Sequence, residues 1–182
     1  MIEHWFFKRI AMSRLKIILA PDERLNKMSI EVKRIEKNTI TFIENMVDTM
    51  YESNGIGLAA PQVGVLKRIL VIDCGSDEKG KNLKSFINPE ILSYTDDLSE
   101  FEEGCLSLPS QFAKVVRPSR IKLKYLDSDG KNIIQSFEGL ESTCIQHEID
   151  HLNGKLFIDH LSKLRKNIII KKLKKYKKIK NF

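Results

Sequence analysis

The sequence predicts an α+β fold, in which antiparallel β-sheets pack around a central helix and a further helix lies at the C-terminus. The candidate strands follow one another in a block with helical patterns before and after it, whereas the strands of a parallel sheet alternate with helices. Residues 121–125 alternate strictly between apolar and polar side chains, which is typical of an antiparallel strand with one buried face. A chain of 182 residues has the length of one domain with its own core.

The first helix is predicted over residues 39–52. Its apolar residues recur at spacings of three, four and seven and therefore form one stripe along the helix. These residues are Ile43, Met46, Val47 and Met50. The dipeptide Asn54-Gly55 marks the end of this helix.

Short strands are predicted at residues 68–73, 85–88, 121–125 and 132–135. The last two are joined by Asp-Ser-Asp-Gly, which forms a hairpin turn because Gly130 can adopt a positive φ. A second helix is predicted over residues 140–153 and ends at Gly154.

The composition excludes several classes of protein. Hydrophobic residues make up 42% of the chain and charged residues 30%, so the chain as a whole is not disordered. The apolar runs are much shorter than the roughly 18 residues of a membrane-spanning helix, and no transmembrane segment is predicted. Three cysteines cannot build a disulfide framework, and they indicate a reducing compartment.

The net charge of +7 is concentrated at the C-terminus. Residues 161–182 contain ten lysines or arginines and no acidic residue. The first 160 residues carry 21 basic and 24 acidic side chains, so the body of the protein is mildly acidic. No basic face for DNA is therefore predicted on the body.

The strongest functional motif is a His-Glu-x-x-His sequence that begins at His147 and ends at His151. On a helix these two histidines lie one turn apart on the same side, so both imidazoles can reach one divalent ion. Glu148 leans toward the same side, where its carboxylate can accept a proton from an activated water. The alternative is a surface helix with incidental histidines, but an apolar stripe that includes Ile145 and Ile149 indicates a buried helix.

A catalytic metal site needs a third ligand, and the residues offer several candidates. The extended metalloprotease pattern would require a histidine where Phe157 stands, so that pattern is excluded. Cys144 shares the helix face but lies about 10 Å along the axis from the farther histidine, which favours a small apolar role. Asp159 and His160 lie just beyond the helix and would need the chain to turn back. Cys105, which follows a glycine, is the favoured third ligand, and the alternative is an inert buried thiol.

A third segment, Gly-Ile-Gly-Leu-Ala-Ala-Pro-Gln at residues 55–62, has little side-chain bulk. A ligand backbone could lie against it, and the amide of Gln62 could donate to a developing negative charge. Taken alone, the segment is better explained as a tightly packed turn.

Together these segments resemble the three motifs of peptide deformylases, in the same order and at matching spacing. The motifs are residues 55–62, Glu-Gly-Cys-Leu-Ser at 103–107 and Gln-His-Glu-Ile-Asp-His-Leu at 146–152. The likeness extends from about Leu15 to Leu164. The resulting domain prediction is an N-terminal extension of uncertain status at 1–11, a deformylase-like catalytic domain at 12–164 and a basic C-terminal helix or tail at 165–182.

The resemblance implies one divalent metal ion per chain, bound by Cys105, His147 and His151. The implied physiological ion is Fe²⁺, and Zn²⁺, Ni²⁺ or Co²⁺ can replace it. Glu148 is implied to be the general acid and base, and the Gln62 side chain and the Leu106 backbone amide are implied to stabilise an oxyanion.

The implied substrate is the N-formyl-methionyl end of a nascent peptide, and the implied products are formate and a free amino terminus. Such an enzyme is expected in the cytoplasm of a bacterial cell, with an organelle as the alternative. The implied substrate-binding residues are Ile56, Gly57, Phe101, Gly104, Leu140, Thr143 and Cys144, beside His147. Many relatives have an arginine where this chain has Phe112, so its contacts with the peptide beyond methionine are expected to differ.

The basic tail gives a second functional hypothesis. Its apolar residues recur at helical spacing and lysines fill the other face: the apolar residues are Leu161, Leu164, Ile168, Ile169, Leu173 and Tyr176. The resemblance favours docking of this helix to the ribosome near the tunnel exit, although a membrane surface would use the same features. A solvated charged helix is the alternative.

Three rival functions share some of these features. An endopeptidase would use the same metal helix, and a non-catalytic metal protein would close the site with Cys144 as a fourth ligand. A ribosome-binding module with a decayed site is the third, but every residue that the chemistry requires is present in the sequence.

Overall fold

The structure is a computed structural model that describes residues 15–74 and 78–180; the predicted extension at 1–11 lies outside them. The helices are α1 (Lys37–Glu52), α2 (Gly139–Leu152) and α3 (Lys163–Lys180). The strands are β1 (Gly57–Ala59), β2 (Ile69–Asp73), β3 (Leu83–Tyr94), β4 (Leu98–Cys105), β5 (Leu108–Pro118), β6 (Arg120–Leu126) and β7 (Asn132–Glu138). Short 3₁₀ turns lie at Glu23–Asn26, Ala60–Val63 and Phe157–His160.

The strands form two antiparallel sheets, as the α+β prediction requires. One sheet has five strands in the order β1-β2-β3-β6-β7, and the other is the hairpin β4-β5. Strand β6 shows the predicted alternation, since Ile121, Leu123 and Tyr125 are buried and the lysines between them are exposed. The predicted turn between β6 and β7 is confirmed, with Gly130 at φ +79°.

The hairpin β4-β5 was not predicted from the sequence, and neither was the short strand β1. In β5, Ala113, Val115 and Arg117 are buried and the residues between them are exposed. Two charged residues, Arg117 of β5 and Glu103 of β4, are therefore buried in the hairpin. Because charged residues are normally exposed, the inward-facing pair hides the alternation of these strands from a sequence pattern.

The five-stranded sheet lies between α1 and α2, and its strand β2 is buried on both faces. Leu70 and Ile72 pack with residues of α2, while Ile69 and Val71 pack with residues of α1. The predicted apolar stripe of α1 is the part of that helix that is buried. Each large side chain removed from water in this way contributes about 1.5 to 3 kcal/mol, so the sheet holds α2 firmly at the centre of the protein.

The C-terminal helix α3 packs on the body by one face only. Ile169 and Leu173 are buried in a cluster with Leu25 and Phe157, whereas Leu164 is exposed. No helix in the described ranges is both long enough and apolar enough to cross a membrane.

Candidate metal centre

Helix α2 carries the His-Glu-x-x-His motif in the interior of the protein. His147, Glu148 and His151 are 8%, 5% and 1% exposed, because the large sheet and the β4-β5 hairpin both pack on this helix. The centroids of the two imidazole rings are 5.0 Å apart, as expected for residues one helical turn apart. The surface-helix alternative is therefore wrong.

Cys105 is the last residue of β4, and the pairing of β4 with β5 changes register at this point. Its Sγ lies 3.2 Å from Nε2 of His151. The ligand atoms of Cys105, His147 and His151 all lie within 4.8 Å of one another. The three candidate ligand atoms, one from the hairpin and two from the helix, are therefore close enough to bind one ion. Asp159 and His160 are not part of this group.

This donor set fits a divalent metal ion. One thiolate and two imidazoles suit zinc, iron and other first-row metals, and three protein ligands leave a position open for water or substrate. Metal–sulfur and metal–nitrogen bonds of about 2.3 and 2.0 Å at a tetrahedral angle would place the two atoms about 3.5 Å apart. The 3.2 Å between Sγ and Nε2 is close to that value. The buried Nδ1 of His151 has no hydrogen-bond partner in the described structure.

His147 is held by a buried ion pair that the sequence analysis missed. Its Nδ1 lies 2.8 Å from Oε2 of Glu103, and Arg117 binds the same carboxylate through Nε at 2.6 Å and Nη2 at 3.0 Å. Burial opposes the charge of Glu103, but these hydrogen bonds outweigh it and hold the pKa of the carboxyl below its usual value. A carboxylate bound to one ring nitrogen fixes the ring so that the other faces the metal position.

Glu148 lies beside the ligands with its carboxylate against the first motif. A Cβ on Gly57 would be 2.5 Å from Oε1 of Glu148, so the glycine is what makes room for this carboxylate. Burial raises the pKa of Glu148 to about 7. A carboxylate with such a pKa can both accept and return a proton near neutral pH.

Gln62 is oriented by the segment that contains it. Its Oε1 accepts a hydrogen bond from the backbone N–H of Ala59 at 2.8 Å, and this bond fixes the orientation of the side-chain amide. Its Nε2 then points at the metal ligands, 3.4 Å from Sγ of Cys105 and 3.3 Å from Oγ of Ser107. The segment is thus strand β1 followed by a 3₁₀ turn, and the simple packed turn is an incomplete description.

The other predicted substrate-binding residues differ in exposure, and Phe101 of β4 is half-buried. Ile56 and Leu140 are 49% and 39% exposed. Thr143 and Cys144 are buried, and the neighbouring Cys74 thiol together with burial raises the pKa of Cys144. Cys144 belongs to the hydrophobic cluster between α2 and the sheet, and it is not part of the group of possible metal ligands.

An exposed aromatic ring lies against the residue that precedes Cys105. Gly104 pairs with Phe112 across the hairpin, and a Cβ on Gly104 would lie 2.6 Å from the phenyl ring. Phe112 is 64% exposed, so its ring covers the backbone next to Cys105 and faces solvent. A Cβ on Gly55 would lie 2.8 Å from Cδ1 of Leu106, so the first and second motifs are in close contact.

Comparison with known proteins places this arrangement in a family. The family model described as polypeptide deformylase matches residues 14–167. The peptide deformylase of Pelagibacter ubique is 48% identical over 166 residues, which cover 91% of this chain and 96% of that protein. The peptide deformylase of Agrobacterium fabrum is 46% identical and covers 87% of this chain and 94% of its own.

Solved structures agree with the sequence comparison. The peptide deformylase of Legionella pneumophila superimposes with a TM-score of 0.86 at 45% identity, over 93% of this chain and 98% of that one. A peptide deformylase of Ehrlichia chaffeensis in complex with actinonin gives a TM-score of 0.86 at 40% identity, over 91% and 98% of the two chains. By sequence along most of its length, and by fold around the Cys-His-His site, the chain belongs to the peptide deformylase family.

Proposed function

We propose that this enzyme removes the formyl group from the N-terminal methionine of newly synthesised proteins and releases formate. The observation that carries the proposal is the convergence of Cys105, His147 and His151 within 4.8 Å beside a buried general base. In the proposed site these three residues hold one divalent ion. The ion supplies Lewis acidity, which polarises a carbonyl oxygen and makes a water molecule easier to deprotonate.

Glu148 moves the proton. With a pKa of about 7 it is partly ionised at neutral pH, so it can take a proton from the attacking water. The same carboxyl then donates that proton to the departing amine nitrogen, which leaves as the free amino terminus. Because Glu148 is 5% exposed, the proton stays within the site between the two steps.

Gln62 and the backbone N–H of Leu106 stabilise the charge that forms on the formyl oxygen. The Gln62 amide is already oriented by Ala59, so it needs no rearrangement as charge develops. Loss of one such donor typically costs about 2.7 to 4 kcal/mol of barrier.

The methionine side chain binds between the first motif, the hairpin and the start of α2. An apolar lining suits a flexible thioether. The proposed lining residues are Ile56, Gly57, Phe101, Gly104, Leu140, Thr143 and Cys144. Phe112 would meet the peptide beyond methionine with an aromatic surface, where an arginine would offer a charge.

We propose Fe²⁺ as the physiological ion, and we expect that Zn²⁺, Ni²⁺ or Co²⁺ can replace it in the site. A thiolate and two imidazoles suit all four ions, so availability in the cell decides which is bound. Metal analysis of protein purified without oxygen should give about one iron per chain.

The activity is tested by formate release from a formyl-methionyl tripeptide with anoxic, Fe²⁺-loaded enzyme. We expect release of one formate per peptide, and no hydrolysis of the matching acetyl-methionyl peptide. Cleavage of an internal peptide bond would favour the endopeptidase. Tight metal binding without any formate release would favour the non-catalytic metal protein, and either result would contradict the proposal.

A second proposal concerns the partner of α3. One side of this helix is exposed, opposite the buried Ile169 and Leu173; its residues are Leu164, Ile168, Lys171, Lys174, Lys175 and Lys178. We propose that this outer face docks on the ribosome near the tunnel exit, which would place the enzyme in the cytoplasm beside its nascent substrates. Ribosomal RNA is a polyanion, so the lysines of this face would attract it. Such electrostatic binding weakens as the salt concentration rises.

Charge reversal of the outer face tests this docking without disturbing the core. Replacement of Lys171, Lys174, Lys175 and Lys178 by Glu should abolish co-sedimentation with ribosomes and leave hydrolysis of a short formyl peptide unchanged. Deletion of α3 is less informative, because it would also expose the cluster around Leu173. Binding to ribosomes that the four substitutions do not weaken would contradict this proposal, and binding to anionic vesicles instead would identify a membrane surface.

A further inference from the structure

A continuous line of hydrogen-bonded polar side chains leads from the partly exposed His160 to the buried His147. His147 contacts Glu103, and Glu103 binds Arg117. Arg117 extends Nη1 to Oδ2 of Asp150 at 2.8 Å, and the same oxygen accepts a hydrogen bond from Nε2 of His160 at 2.7 Å. The line therefore begins at His160, which is not one of the proposed ligands, and ends at the proposed ligand His147.

The inner members of this line have almost no contact with water. The side chains of Arg117 and Glu103 are both 5% exposed, that of Asp150 is 15% exposed and that of His160 is 35% exposed. Interactions inside the protein are stronger than in water, and a buried charge that loses a partner is costly. The position of each member is therefore determined by its neighbours.

The line also joins the two elements that carry the metal ligands. Glu103 and Arg117 lie on the hairpin, and Asp150 lies on α2 beside His151. Cys105 follows Glu103 by two residues in β4. Arg117 contacts carboxylates on both elements, so it sets the distance between the hairpin that carries the sulfur and the helix that carries the imidazoles.

His160 provides the outermost contact. It ends the 3₁₀ turn Phe157–His160, which is anchored by the fully buried Phe157 and Ile158. The turn therefore fixes the position of the His160 backbone, from which the imidazole reaches Asp150. The imidazole donates the Nε2 proton, because a carboxylate oxygen can only accept.

We propose that His160 is a positioning residue for the metal site: its hydrogen bond fixes Asp150, which fixes Arg117 and Glu103, which orient His147. The inference rests on the proposed metal site. Outer-shell partners of metal-binding histidines typically change metal affinity or activity roughly 10- to 100-fold. His160 acts through three intermediates, so we expect the rate of metal release to rise by about threefold to tenfold when it is removed.

The test compares His160→Phe, which keeps a planar ring and removes the donor, with His160→Gln, which keeps an N–H donor at a similar reach. Both are made in the full chain and loaded with Co²⁺. Transfer of cobalt to a chelator gives the release rate, and the visible spectrum of the bound cobalt reports its coordination. We expect faster release and an altered spectrum for the Phe variant, and values near wild type for the Gln variant.

Lys166→Ala is the matched control. Lys166 lies on α3 and pairs with Asp159, which precedes His160 in the 3₁₀ turn. In the described structure Lys166 contacts no member of the line. This variant loosens the turn without removing the hydrogen bond to Asp150, so its release rate should equal that of wild type. A second control combines His160→Phe with Asp150→Asn. If His160 acts through Asp150, the double variant should release cobalt at the same rate as Asp150→Asn alone.

Three results would overturn the inference. The first is a Phe variant that equals wild type in release rate and spectrum. The second is a Gln variant that releases cobalt as fast as the Phe variant, and the third is the same fast release by Lys166→Ala. Wild-type protein that binds no cobalt would instead refute the proposed function, so the two failures are distinguishable. If Asp150→Asn does not fold, the Phe and Gln variants still decide the question.

Discussion

At the scale of single residues, the site depends on small groups that leave room for functional ones. Gly57 is the clearest case, because the Glu148 carboxylate occupies the space that a side chain would need. Gln62 shows the complementary principle, since its carbonyl is held by Ala59 and its donor is thereby directed at the ligands. Functional groups in this site are placed by backbone as much as by side chains.

Gly57→Ala should reduce turnover strongly without loss of metal. The new methyl group would lie 2.5 Å from Oε1 and 3.1 Å from Cδ of Glu148, so the carboxylate must move. We expect kcat to fall by about 100-fold, since general acid–base catalysis contributes roughly 10²- to 10⁴-fold. Kinetics with a formyl-methionyl peptide and metal analysis of the same sample give the two values. An alanine variant with wild-type kcat would show that the contact has no role.

Glu148→Gln should bind metal normally and lose nearly all turnover. The amide has the same shape, but it cannot accept a proton from water at neutral pH. Metal content and formate release are measured on the same preparation. Substantial formate release by the fully metal-loaded variant would refute the role of Glu148 as general base.

The sequence motifs were sufficient to predict the ligand residues that the structure brings together. They were not sufficient to predict the residues that hold those ligands in place. Cys105, His147 and His151 stand in short segments whose residue types indicate metal chemistry. Glu103 stands beside Cys105 in the same motif, yet nothing in the sequence indicates that its partner is Arg117. That pairing depends on how two strands lie against a helix, which is a tertiary property.

At the scale of elements, α2 and the β4-β5 hairpin form the site together. The helix was predictable because its apolar spacing is regular, and so was β6, which alternates cleanly. The hairpin was not predicted, because its inner face includes the charged Glu103 and Arg117 and its outer face includes the apolar Phe112 and Val116. Burial of charge therefore explains both the missed element and its tight attachment to α2.

Arg117→Met should destabilise the metal-free protein by about 3 to 5 kcal/mol, because it removes the guanidinium that pairs with the largely buried carboxylates of Glu103 and Asp150. Urea denaturation of the apoprotein measures the free energy of unfolding. Arg120→Met is the matched control, since Arg120 pairs with Glu138 at side-chain exposures of 57% and 70% and should matter by about 0 to 1 kcal/mol. Equal stability of the two variants would contradict the structural role of the buried pair.

At the scale of the whole molecule, α3 has two distinct faces. Its inner face completes a hydrophobic cluster with the N-terminal segment that includes Ile18 and Leu25. Its outer face carries most of the excess positive charge of the chain. The apolar spacing and the charge were visible in the sequence, but which apolar residues would be covered was not, since Ile168 and Ile169 are neighbours with opposite outcomes.

Leu173→Ala should destabilise the protein by about 2 to 5 kcal/mol, because Leu173 is 1% exposed in that cluster. Ile179→Ala is the control: this residue is 71% exposed, and its loss should change stability by less than about 0.5 kcal/mol. Thermal unfolding of both variants gives the comparison. Equal melting temperatures would mean that α3 does not pack on the body in solution.

In the proposed site, one hairpin thiolate and two helix imidazoles bind the same ion. X-ray absorption spectroscopy of the zinc-loaded protein measures this directly, since it counts the sulfur and nitrogen neighbours of the metal. We predict one sulfur at about 2.3 Å and two imidazole nitrogens at about 2.0 Å, with the sulfur absent in Cys105→Ser. A metal without a sulfur neighbour in the wild-type protein, or one whose sulfur persists in Cys105→Ser, would contradict the account.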